Sequence, residues 1–211
     1  FSGTVYRIGP MKQRSQPKKV LARTSGRIAI GLDMDGVVLD HTRMRIKLAK
    51  KYGFTLKPRQ TPSEILKKNV PAPYRQLIKY FLYTHPDISQ KADLMPQIKT
   101  SLQYLRKLEY PFYLVSRRRE SEMGVAVLKK RGLWPEYFNE KNTFFVMTSE
   151  EKDAKAKELG ITHYVDDEMR VLTALQSVKN KFLFDPHSAL KKGEYVRVKS
   201  WPELLKRLRL A

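Results

Sequence analysis

Short apolar segments alternate with amphipathic segments along most of the chain. The apolar segments predict strands at 27–33, 111–116, 143–147, 161–167 and 180–184. Helical periodicity between them predicts helices at 40–52, within 62–85, and at 96–110, 118–132 and 149–159, with a last helix beginning near Ser200. Strands separated by helices at this spacing are typical of βαβ units. We therefore expect an α/β fold, a parallel sheet covered by helices on both faces.

Local end signals support several of these helices. Thr148 and Glu151 stand three residues apart, as in a capping box, and so do Ser200 and Glu203. Gly132 stands at the end of the helix predicted at 118–132 and suits the left-handed position that often ends a helix. These boundaries favour compact helices joined to strands by short loops.

Polar side chains stand where three of the predicted strands end. Asp33 and Asp35 follow the first strand and lie on the same side of the chain because side chains alternate along extended backbone. Ser116 ends the second strand, and Asp166 and Asp167 end the fourth. Ligands of open parallel sheets bind at the carboxyl ends of the strands. We therefore expect these side chains to converge on one site.

The residue types in this group point to phosphoryl chemistry. Carboxylates brought together repel one another unless a hard cation is present, and oxygen ligands suit Mg²⁺. A carboxylate beside the metal can attack phosphorus as a nucleophile. A second acid two residues away can protonate the leaving oxygen and then activate water. A hydroxyl and an ammonium can stabilise the charge on the transferred group.

The order of these residues resembles the motifs of the haloacid dehalogenase superfamily. The phosphatases of that family carry Asp-x-Asp after the first strand, then a Ser or Thr, then a Lys at a helix start, then an acidic pair. The resemblance covers about 27–211 and implies a Rossmann-like sheet with a small helical cap inserted after the first strand. The second acid, Asp35, favours phosphoester hydrolysis because family members with other reactions generally lack it.

By this resemblance Asp33 is the nucleophile and Asp35 the general acid and base. Asp33, Asp35 (through its backbone carbonyl), Asp166 and Asp167 would hold Mg²⁺.

The resemblance also implies the phosphate-binding residues. Ser116 would donate to the phosphoryl oxygens, and Arg118 is the arginine best placed after it. Lys152 is the favoured phosphate-binding lysine, with Lys155 as its competitor and Lys157 less favoured. For all three lysines the alternative is a solvated helix face.

The segment 41–95 resembles the cap. Its rings and bases could stack a nucleobase and hold phosphate, or the rings could pack the cap helices together. Small caps with an acidic pair are similar to the 5′-nucleotidase-like branch, so the expected substrate is a small phosphate ester, a nucleotide or a nucleic-acid end.

The net charge of +21 adds a second hypothesis. Residues 1–32 hold seven Lys or Arg and no acid, and residues 1–26 lack periodicity, which predicts a basic arm ahead of the domain at 27–211. Such a charge attracts polyanions. The alternative function is therefore an RNA-associated protein, such as a ribosome-bound subunit, that uses the basic arm and the cap for binding and in which catalysis is secondary or lost.

Composition excludes some chemistry and leaves the compartment open. The chain has no Cys, so disulfides, thiolate catalysis and cysteine-bound zinc are excluded. The longest uncharged apolar runs are far too short to span a bilayer, so no membrane partner is expected. An intracellular location, in the cytoplasm or an organelle matrix, fits these features.

Overall fold

A computed structural model of the chain describes residues 28–191 and 193–208. The predicted basic arm, 1–26, lies outside the described residues, so its RNA-binding role stays a prediction. Among the described helices, none is both long and apolar enough to cross a membrane.

Eight strands and nine α-helices occur in the described ranges. The strands are β1 Ile30–Leu32, β2 Leu39–Asp40, β3 Asp93–Leu94, β4 Phe112–Ser116, β5 Thr143–Phe145, β6 His163–Asp166, β7 Asn180–Phe184 and β8 Val196–Val198. The helices are α1 Thr42–Lys51, α2 Ser63–Asn69, α3 Ala72–Tyr83, α4 Pro86–Ser89, α5 Ile98–Lys107, α6 Ser121–Lys130, α7 Ser149–Glu158, α8 Met169–Ala174 and α9 Trp201–Leu208. A short 3₁₀ turn, Pro58–Gln60, precedes α2.

The predicted parallel sheet is confirmed. Six strands pair in the order β5-β4-β1-β6-β7-β8, and every pairing is parallel. Leu32 of β1 is in register with Leu114 of β4 and Val165 of β6, so the residues that follow these three positions meet at one edge. The central place of β1 puts Asp33 in the middle of that edge.

Side chains alternate along the strands between the two faces of the sheet, and each face packs into its own hydrophobic core. Leu114 and Val165 face a core shared with α5, α6 and α9, whereas Val115 and Tyr164 face a core shared with α7 and α8. Helices thus cover both faces, which explains why the strands are nearly continuous in apolar residues.

Residues 41–95, which we call the helical insert, contain helices α1 to α4 followed by β3, and β3 pairs antiparallel with β2. Its own small core includes Met44, Leu48, Leu66, Ile78 and Leu82. Phe81 and Tyr83 pack against this core, while Tyr74 and Tyr80 are exposed. The rings of the insert therefore divide between packing and surface, and Tyr83 contacts His41 and Arg118.

Several predicted boundaries were wrong by a few residues. In the described range the first strand starts at Ile30, the helix expected at 118–132 is α6 at 121–130, and the strand expected at 143–147 ends at Phe145. Strands β2, β3 and β8 and helix α8 were not predicted. The strands have two or three residues each, too few to show a period.

Buried His163 makes stability pH-dependent. It stacks on Phe182, and burial lowers its pKa. As pH falls through its unfolded value near 6.5, the unfolded chain binds a proton that the folded chain does not, so stability is lost. We expect His163→Phe to remove a fall of up to about 1.4 kcal/mol per pH unit below that point. Urea unfolding of both proteins at several pH values measures it, and identical pH profiles would contradict it.

Candidate active site

The loop after β1 turns the chain sharply at the edge of the sheet. Gly36 has φ +100°, and its N–H donates to the Leu39 carbonyl at 2.8 Å. The N–H of Asp35 donates to Asp33 Oδ2 at 3.0 Å. The turn holds the two acids close together while the chain leads into β2 and the helical insert.

Lys152 bridges two of the strand-end acids. Its Nζ donates to Asp33 Oδ1 at 2.5 Å and to Asp166 Oδ2 at 2.8 Å, and the side chain is fully buried. It reaches the site from the first turn of α7, which Thr148 caps by accepting from the Glu151 N–H. One ammonium therefore joins the ends of β1 and β6.

The ionisable groups of this cluster shift one another's pKa values. Burial and the nearby Asp166 and Asp35 carboxylates raise the pKa of Asp33 to about 7, although Lys152 lowers it. Burial, Asp166 and Glu168 raise the pKa of Asp167 well above its usual range. Burial alone would lower the pKa of Lys152, but Asp166 and Asp33 raise it, so the amine stays charged. The site thus contains more carboxyl groups than the one ammonium of Lys152 can neutralise.

Asp35 has different neighbours from Asp33. His41 Nε2 donates to its Oδ1 at 2.6 Å, and Arg118 approaches the same oxygen at 3.4 Å. Burial alone would raise the pKa of Asp35, but Arg118, His41 and Arg45 lower it to about 2. The two acids thus differ in pKa. The pKa of Asp33 is near neutral pH, whereas Asp35 is ionised at that pH.

The other predicted phosphate-binding residues lie around the same edge. Ser116 is buried at the end of β4, where its carbonyl accepts from the Val146 N–H. Arg118 is buried and also donates to the Tyr83 carbonyl of the insert at 3.2 Å. Arg117 instead pairs with Glu168 at 2.9 Å. Arg118 is therefore the arginine that points to the site.

Helix α7 presents its lysines in different directions. Lys155 pairs with Glu158 at 2.5 Å and lies over the Phe144 ring, and Lys157 is exposed. Lys152 faces the sheet edge instead. The geometry thus favours Lys152 over both competitors, while the role of binding phosphate stays a prediction.

The donor set fits a magnesium ion. In the described ranges no three acidic or histidine side chains are already grouped as a metal site, and the Lys152 ammonium contacts both Asp33 and Asp166. Burial is the largest cause of the raised pKa of Asp33 and of Asp167, and neighbouring carboxylates add to it; a hard divalent cation would offset both effects. Asp33, Asp166, Asp167 and the Asp35 carbonyl are the groups that would hold it.

Contacts of the insert supply functional candidates that sequence reasoning missed. Buried Arg45 donates to the Thr61 carbonyl at 2.9 Å and to the Tyr83 hydroxyl at 3.2 Å. His41 contacts Asp35, as described above, and its ring packs edge-on against Tyr83. These residues come together through folding of the insert, and no motif or period connects them in the sequence.

A small recess with a volume of about 30 Å³, partly open to solvent, lies beside the acids. The insert and the sheet edge both line it, and its polar lining includes Asp40, His41, Thr42, Arg45, Asp167, Asp185 and His187. Asp185 directly follows β7, so the sequence rule of acids at strand ends could have found it. Buried Asp185 accepts from the Ala189 and Leu190 N–H groups, which makes it part of the wall of the recess.

Replacing Gly36 by alanine tests the packing of the loop. A methyl group there would fall on the Asp167 carboxylate, in a backbone conformation that favours glycine. Gly53→Ala is the matched control, because it has φ +86° but open space around the new methyl. We expect the control to cost about 1–2 kcal/mol, and Gly36→Ala about 1–3 kcal/mol more. Urea unfolding of both variants measures this, and equal costs would contradict it.

Comparison with known proteins identifies the fold. No protein-family model and no curated protein sequence matches the chain significantly. Solved structures do match it. A HAD family hydrolase from Deinococcus radiodurans, with bound phosphate and sodium, matches at a TM-score of 0.60 and 16% identity, over 87% of this chain and 96% of that one.

Two further structures have the same architecture. A HAD-superfamily hydrolase of subfamily IA from Geobacter sulfurreducens matches at TM-score 0.55 and 16% identity, over 86% of this chain and 96% of that one. A predicted phosphoglycolate phosphatase from Haemophilus somnus matches at 0.54 and 12%, over 86% and 98%. The chain therefore has the fold of the haloacid dehalogenase hydrolases.

Proposed function

We propose that the chain is a magnesium-dependent phosphomonoester hydrolase that works through an aspartyl-phosphate on Asp33. The observation that carries the proposal is the Lys152 bridge between Asp33 and Asp166 at the carboxyl edge of the sheet, with Asp35 two residues from Asp33. Hydrolases of the same fold, one of them with bound phosphate, support it.

In the first step an oxygen of Asp33 attacks phosphorus, and the bond from phosphorus to the ester oxygen breaks. Asp35 gives its proton to the leaving oxygen, so an alcohol departs and the phosphoryl group stays on Asp33. Lys152 and the Ser116 hydroxyl stabilise the charge on the transferred group. Magnesium, when bound, supplies positive charge that offsets the repulsion between Asp33 and the phosphoryl oxygens.

In the second step Asp35 accepts a proton from water, and the resulting hydroxide attacks the phosphorus of the aspartyl-phosphate. The bond to Asp33 breaks, inorganic phosphate leaves and the carboxylate of Asp33 is restored. The pKa of about 2 keeps Asp35 ionised and able to accept this proton, but it also makes the carboxylate a weak base. To act first as an acid it must gain a proton, and movement of Arg118 toward an anionic substrate would raise its pKa.

We further propose a nucleotide as the substrate, in keeping with the 5′-nucleotidase-like resemblance. The recess beside the acids has a volume of only about 30 Å³ and is partly open to solvent, so a nucleotide would lie across its mouth rather than inside it. Its mixed lining of carboxylates, histidines, a hydroxyl and Arg45 offers donors and acceptors for a sugar and a base. The Tyr83 ring contacts His41 and Arg118, which both lie against Asp35.

Phosphate release tests the proposal. The native chain is incubated with an aryl phosphate, a panel of nucleoside monophosphates and phosphoglycolate, with Mg²⁺ or with a chelator. We expect phosphate release with Mg²⁺ and none with the chelator, and the fastest release from one of the nucleotides. Absence of release from every ester by folded protein would contradict the phosphatase, and preference for phosphoglycolate would contradict the nucleotide.

A further inference from the structure

The helical insert carries far more positive charge than the rest of the domain. Residues 41–95 hold twelve Lys or Arg against three acids, whereas 28–40 and 96–211 together hold 23 against 18. Two of the three acids are already engaged: Glu64 accepts from the Met169 N–H, and Asp93 pairs with Arg43. Acids within the insert can therefore neutralise only a small part of its positive charge.

Exposed apolar side chains concentrate on the same insert. Of the five large hydrophobic side chains that are exposed in the described ranges, three lie on α3: Tyr80 at 55%, Leu77 at 42% and Tyr74 at 38%. Ordinary soluble helices bury such residues or scatter them singly. Two exposed tyrosines on one short helix offer ring faces to a ligand.

Contacts between α1 and α3 bring the charges and the rings close together. Lys51 at the end of α1 lies 5.6 Å from the centre of the Phe81 ring, and Phe81 contacts Tyr80 with ring centres 5.5 Å apart. Lys47 is one helical turn before Lys51 and is also exposed. Tyr74 contacts Phe54, just beyond the end of α1, at 5.1 Å. We call the surface formed by Lys47, Lys51, Tyr74, Leu77 and Tyr80 the basic aromatic face.

We propose that the basic aromatic face binds single-stranded nucleic acid, independently of the phosphatase reaction. Lysines on one side of the rings would contact backbone phosphates, and unstacked bases would pack on Tyr80 and Tyr74. Proteins that bind single strands without sequence preference combine a positive surface with aromatic rings in this way. A membrane surface would require a broader apolar face, and an acidic protein gains nothing specific from exposed rings.

Fluorescence anisotropy of the full chain with a labelled oligouridylate of about 12 nucleotides tests the proposal. We expect Tyr80→Ala to weaken binding about tenfold and Tyr80→Phe to preserve it, because stacking needs the ring and not the hydroxyl. Met147→Ala, which removes an exposed apolar side chain outside the insert, should have no effect.

A paired charge experiment separates the face from net charge. Lys47→Gln with Lys51→Gln should weaken binding and reduce the slope of log affinity against log salt by about 1.4, or about 0.7 per lost phosphate contact. Lys129→Gln with Lys130→Gln changes the net charge equally on exposed positions of α6 and should leave that slope unchanged.

The proposal is overturned if the two lysine pairs behave alike, if Tyr80→Ala binds as tightly as the native chain, or if no binding occurs. It is also overturned if polyglutamate or phosphatidylserine vesicles displace the oligonucleotide at equal charge concentration. Circular dichroism and thermal unfolding show whether each variant is folded. Phosphate release by the Tyr80→Ala variant stays at the native rate, so the phosphatase proposal is judged separately.

Discussion

Replacing Lys152 by methionine is expected to lower the free energy of unfolding by about 3–5 kcal/mol. The substitution keeps an apolar side chain of similar length but removes the ammonium that pairs with Asp33 and Asp166. Both carboxylates are buried, at 7% and 1% exposure, so neither can recover its hydration. Breaking a buried ion pair from one side leaves an uncompensated charge, which accounts for the size of the effect.

Lys155→Met is the matched control for this prediction. It removes the same charge from the same helix, but Lys155 pairs with the exposed Glu158, and surface pairs are worth about 1 kcal/mol or less. Adding Asp33→Asn to Lys152→Met should recover part of the loss, because one unpaired carboxylate is removed. Urea unfolding of the four proteins measures their free energies of unfolding. Similar decreases for the two lysine variants would show that the buried ion pairs of Lys152 do not stabilise the fold.

Replacing Asp33 by asparagine is expected to reduce phosphate release at least about a thousandfold. The amide is isosteric with the carboxylate and still contacts Lys152, but its oxygen carries no negative charge with which to attack phosphorus. Because the nucleophile forms a covalent bond in the proposed first step, no neighbouring acid can substitute for it without a change of geometry. Steady-state phosphate release in Mg²⁺ measures the effect.

Asp87→Asn provides the control for the nucleophile. Asp87 is exposed on α4 of the insert, and its replacement changes the net charge identically while leaving turnover within about twofold. Protein quenched in acid during turnover should carry a phosphoryl group that hydroxylamine removes, and Asp33→Asn should carry none. Full turnover by a folded Asp33→Asn variant would show that catalysis does not pass through Asp33.

The local pattern of residues was enough to predict much of the fold. The strand at 180–184 matches β7 to the residue, and the helix predicted at 149–159 matches α7 within one residue. These elements were predictable because helix and strand periods and capping boxes are properties of a few neighbouring residues. The placement of acids at strand ends followed from the same reasoning, since a parallel sheet brings the carboxyl ends of its strands to one edge.

Only the tertiary structure decided which polar groups meet. Lys152 and Lys155 are three residues apart on one helix, and nothing local says which of them faces β1. The contacts of Asp35 with His41 and Arg118 join the loop after β1 to the start of the insert and to the loop after β4. Asp35 and Arg118 are 83 positions apart in the sequence. Whether two such residues meet depends on how the insert packs against the sheet edge, and no periodicity in the sequence predicts that packing. The sequence by itself thus determined the sheet, its helices and the acids at its edge. Long-range packing determined which cation each acid received, and with it the ionisation of Asp33 and Asp35.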